Sequence, residues 1–105
     1  MHFLSEDIFS QISIPEQGVL SRTIHNDDAV KIIVFGFSQG HELSAHMAPM
    51  AATLQILRGK ATVQLGDEVH NLSAGALVHM PPNLKHGIIA QSPMILLLQL
   101  FKGSK

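Results

Sequence analysis

Glycine interrupts this chain at short intervals, at Gly36, Gly40, Gly59, Gly66, Gly75 and Gly87. The segments between these breaks are too short for several helices and long enough for single strands. Their patterns agree. Residues 30–35 form a β-branched run that Gly36 closes, and residues 62–65 alternate polar and apolar side chains, the period of a strand with one buried face. Gly66, Asp67 and Glu68 read as a tight turn, after which Val69 restarts a strand. Residues 95–101 are apolar except for Gln99, which predicts a strand buried on both faces. Helical signal is confined to one short turn over residues 5–11, with Ser5 as its cap and Ile8 and Phe9 packing inward. Many short strands separated by turns predict an all-β sandwich or barrel.

The composition supports one domain with a genuine core. The chain has 105 residues, 46% apolar and 14% charged, so neither disorder nor a second domain is expected. No linker, repeat or low-complexity tract divides it, and residues 102–105 read as a polar, frayed tail. The formal net charge is −1 with no basic stripe, and Trp and Tyr are absent, which argues against a nucleic-acid partner. No apolar run is long enough to span a bilayer. Residues 1–10 carry Glu6 and Asp7 but no Lys or Arg, unlike the basic start of a secretory signal, so a cytoplasmic protein is expected. The chain contains no Cys, which removes disulfides, thiolate ligands and a Cys nucleophile together. No Ser-His-Asp pattern, nucleophile elbow, phosphate-cradling glycine loop or catalytic carboxylate pair is present.

Histidine is the enriched chemical type, with seven in the chain. Two segments hold the informative ones: residues 40–59, with His41 and His46, and residues 75–86, with His79 and His86. Gly40, His46 and Gly59 in the first segment, and Gly75, Pro81, Asn83 and His86 in the second, resemble the two motifs of the cupin superfamily, in particular its small single-domain members. Asn83 stands where the family favours Gly; Asn is among the few other residues that accept a left-handed turn. The resemblance implies a cupin or RmlC-like jelly-roll barrel of short antiparallel strands over residues 1–105. It also implies a pocket between two sheets with His46 and His86 near its floor, and a homodimer.

The resemblance implies a metal only in part. Metal-binding cupins hold a divalent transition metal through three His and a Glu, or through four His. Here His46 and His86 occupy the first and last of these positions, but Ala48 takes the second, and the acidic position falls on Ala51 or Ala52. An enzymic first-row metal usually has at least three protein ligands. Candidates to complete the set are His41, His79, His25 and Gln55. The small Ala48 and Ala52 leave room in the expected pocket, Gln55 offers a polar contact, and Met80, with Met47 and Met50, is able to shape itself around an apolar guest. The alternative for the methionines is ordinary core filling. Arg22 grips an anion if it points inward and is a solvated charge if it points outward. His2, His25, His41 and His70 read as terminal, turn or loop residues. Three functions stay open: a metal-independent module binding a small molecule, a metal-dependent dioxygenase or isomerase, and a metal-free enzyme in which His46 or His86 moves a proton.

Overall fold

In the computed structural model, which describes residues 2–103, the predicted strands pair into two antiparallel sheets. Nine strands are present among the described residues: β1 (Val19–Asn26), β2 (Val30–Phe37), β3 (Glu42–His46), β4 (Ala51–Arg58), β5 (Lys60–Leu65), β6 (Glu68–Ser73), β7 (Leu77–Met80), β8 (His86–Ala90) and β9 (Met94–Phe101). One sheet runs β1-β2-β9-β4-β7 and the other β3-β8-β5-β6. Chain neighbours such as β3 and β4, or β7 and β8, lie in different sheets, so the chain repeatedly crosses between layers as a jelly roll does.

The core lies between the sheets and follows strand alternation. Phe35 and Phe37 of β2, Leu54 and Ile56 of β4, and Met94 and Leu96 of β9 meet Val63 of β5 and Ile88 and Ala90 of β8. Nearly all of these side chains are fully buried, so each of the large apolar ones contributes on the order of 1.5–3 kcal/mol by leaving water. Ala52 and Met80 belong to the same cluster.

The opposite face of the five-stranded sheet is partly covered by the N-terminal segment. The outer side of Gly36 lies so close to this segment that a side chain there would collide with the Ser13 carbonyl oxygen. Val34 and Ile95, on this face, are buried. Two further contacts fasten the segment: Arg22 Nη1 donates to the Gln11 carbonyl at 3.4 Å, and the Arg58 guanidinium stands 4.7 Å from the centre of the Phe9 ring. Arg22 therefore points outward, away from the core. A bulge in β4 between Ile56 and Arg58 turns Arg58 to that outer face.

Two expectations are corrected. The short helical turn is a 3₁₀ turn, Ile8–Gln11, and its cap is Asp7 rather than Ser5. The Asp7 carboxylate, on extended backbone, accepts from Phe9 N at 3.1 Å, while Ser5 Oγ accepts only from the Gln11 side chain. Strand β9 is buried on both faces at Met94, Ile95 and Leu96, but its end emerges and Phe101 is 38% exposed. Of the expected frayed tail, Ser104 and Lys105 lie outside the described residues.

Candidate functional site

A cavity of about 230 Å³ opens between the sheets. The five-stranded sheet contributes Phe35, Leu54, Leu96 and Leu98, all on its inward phase. The other sheet contributes Leu43, Ile88, the backbone of Gly87, and the two His46 and His86. Among the described residues, no carboxylate, Lys or Arg lines the cavity.

A bulge brings the two His together. Strand β3 pairs with β8 through Glu42–Ile89 and Leu43–Ile88, then shifts register so that His46 opposes His86. Leu43 points inward, and simple alternation from it would send His46 outward. The extra residue, within Ser44–Ala45, reverses that phase and returns His46 to the face of His86. Gly87 makes room for the bulge. A side chain on it would stand 3.1 Å from the Ala45 nitrogen and Cα. The two imidazole centres lie 4.4 Å apart at 56°.

The hydrogen bonds of the rings fix their chemistry. His46 Nδ1 lies 2.9 Å from the Ser44 carbonyl oxygen, and His86 Nδ1 lies 3.0 Å from that of Leu84. A carbonyl only accepts, so each Nδ1 carries a proton, and the neutral ring then presents Nε2 as a bare lone pair. His86 is 7% exposed, whereas His46 sits exposed at the rim. The loops carrying the two His segments are tied by Asn83 N donating to the Ala48 carbonyl at 2.7 Å. Asn83 has φ 67°, the left-handed conformation expected of it.

The other proposed site residues lie elsewhere. Ala48 is half-buried in the loop, engaged through its carbonyl. Ala52 and Met80 oppose each other in β4 and β7 and fill the core beside the cavity without lining it. Gln55 is on the outer face, opposite Leu97 and Leu77. Of the other methionines, Met47 is exposed and Met50 half-buried, and neither lines the cavity. The candidate third ligands are equally remote. His79 is exposed on the edge strand β7, His41 contacts Gln17 Oε1 at 3.2 Å, and His25 Nε2 donates to Asp27 Oδ2 at 2.7 Å. Among the described residues no group of three or more His, Cys, Asp or Glu is placed to hold a metal ion. The donor set at the cavity is thus two imidazoles in an apolar wall, and it does not fit a metal centre of three or four protein ligands.

The fold agrees with what is found among known proteins. The sequence model of the Cupin domain family matches residues 33–99, well over half of the chain. The protein belongs to the cupin family. Its structure is similar to that of a conserved protein of unknown function from Streptococcus pyogenes, at 27% identity and a TM-score of 0.88, covering 100% of this chain and 92% of that one. It is also similar to a cupin superfamily protein from Desulfitobacterium hafniense, at 24% identity and a TM-score of 0.84, covering 90% and 86% of the two chains. An RmlC-like cupin from Desulfovibrio desulfuricans shows the same fold at 24% identity and a TM-score of 0.85, covering 96% of this chain and 98% of the other. No curated protein matches the chain.

Proposed function

We propose that this cupin is a metal-independent module that binds a small molecule between its sheets. The observation that carries this reading is the cavity of about 230 Å³, apolar except for His46 and His86. An apolar cavity of about 150 Å³ is enough to take benzene, so this one has room for a single ring with a substituent. Burial of such a guest against Phe35, Leu54 and Leu98 supplies affinity, and the two imidazoles supply orientation. A homodimer is part of the proposal; the exposed Leu77 and Phe101 on the outer face of the five-stranded sheet favour it.

The test is a screen of small apolar compounds by thermal shift, run in EDTA. Compounds that stabilise the protein should do so equally with and without chelator, and Leu98→Trp, which fills the cavity, should abolish their effect. Stabilisation that appears only with added divalent metal would contradict the proposal and revive the metalloenzyme reading.

A further inference from the structure

We infer that the ligand of this cavity carries a hydrogen-bond donor, a hydroxyl on a single ring or short chain, which it gives to Nε2 of His86. This inference rests on the binding reading above and narrows it to a class of molecule. It follows from an imbalance in the polar groups at the cavity. Both Nδ1–H groups are already spent on the carbonyls of Ser44 and Leu84. In its neutral form each ring therefore offers one acceptor, Nε2, and no free donor. The rest of the wall is hydrocarbon, and Gly87 contributes only backbone.

His86 has the greater weight of the two. Its ring is almost entirely withdrawn from solvent, yet among the described residues its Nε2 makes no hydrogen bond within the protein. No side-chain nitrogen or oxygen fully withdrawn from solvent lacks a partner among those residues, so Nε2 opens onto the void and is not sealed in the core. A guest that displaces water from it must replace the lost hydrogen bond or leave a polar atom unsatisfied. An ether brings acceptors only, so acceptor would face acceptor, and a carboxylate or phosphate pairs only once a proton has been placed between it and Nε2. A hydroxyl pairs with Nε2 while its ring or chain covers Phe35 and Leu98.

The experiment uses three probes of one shape: phenol, anisole and toluene, titrated by NMR into the full chain in EDTA. Anisole is phenol with its donor masked, and it is the more readily driven out of water of the two. Phenol should nevertheless bind at least about fivefold tighter than anisole. In His86→Leu the phenol-to-toluene affinity ratio should fall at least about tenfold, with toluene binding retained. Anisole equal to or tighter than phenol would overturn the inference, even if the leucine variant failed to fold. An unchanged ratio in His86→Leu would overturn it as well. In both of those cases binding by the cavity itself would stand. If none of the three binds the wild-type protein, the binding reading falls and the inference falls with it.

Discussion

Asp27 is the residue with the best-defined electrostatic role, and it lies far from the cavity, in the loop that joins β1 to β2. Its Oδ1 accepts from Ala29 N at 2.8 Å and Val30 N at 2.9 Å, while Oδ2 accepts from His25 Nε2. The His25 hydrogen bond, followed by the two backbone bonds, lowers its pKa from 3.8 to about 2. A depressed carboxyl favours the folded state when ionised. Its contribution is therefore fully present above the unfolded value and lost as pH falls through about 2. A carbon-detected NMR titration should place the Asp27 midpoint near 2, and a midpoint at the ordinary value would refute the account. At the cavity, Leu54 is 1% exposed, and Leu54→Ala should cost about 2–5 kcal/mol in denaturant unfolding. A cost below about 1 kcal/mol would mean that the site collapses easily. At this scale the two His could be read from their motif spacing, and Leu54 from the alternation in Thr53-Leu54-Gln55-Ile56. The same alternation excludes Gln55 from the wall, because Leu54 points into the cavity and its neighbour must point away. Ala52 and Met80 share the inward phase, but they pair with each other, and Ala52 with Leu100, two residues along the strand from the Leu54–Leu98 pair that lines the cavity. Sequence alone gives the phase of a strand and not where along it a cavity opens.

Among the elements, β3 determines the site. Its bulge depends on the close approach of Gly87 to Ala45, so Gly87→Ala should destabilise by about 1–3 kcal/mol and displace His46. The displacement is read from the His46 ring signals, which should move more than those of Leu54 or Leu96. Unmoved His46 signals would show that the bulge does not depend on Gly87. Gly36→Ala meets the Ser13 carbonyl oxygen and should loosen residues 9–14 in hydrogen exchange while leaving the cavity signals in place. The strands themselves were readable from their short apolar runs and glycine stops. The bulge was not. Ser44 and Ala45 carry no residue preference that announces one, and it exists because β8 fixes where His46 must pair. The N-terminal segment was hidden for a similar reason. Its docking is a property of the face it covers, chiefly the bare side of Gly36, which local pattern does not reveal.

For the whole molecule, the topology was implied by the two motifs in order, and the interleaved strand order matches that implication. Assembly adds a further expectation. Leu77 is 66% exposed on the outer sheet face, so sedimentation should show a dimer that Leu77→Glu shifts toward monomer. A dimer unaffected by that change would move the interface elsewhere.

We propose that this cupin barrel, retaining two of its His positions, binds its guest without a metal. The most direct test is the metal-to-protein ratio by mass spectrometry, on untagged protein purified without chelator and then equilibrated with a panel of divalent ions. Far less than one ion per chain is expected, unchanged in His46→Ala and His86→Ala. About one ion per chain, lost in both variants, would contradict it.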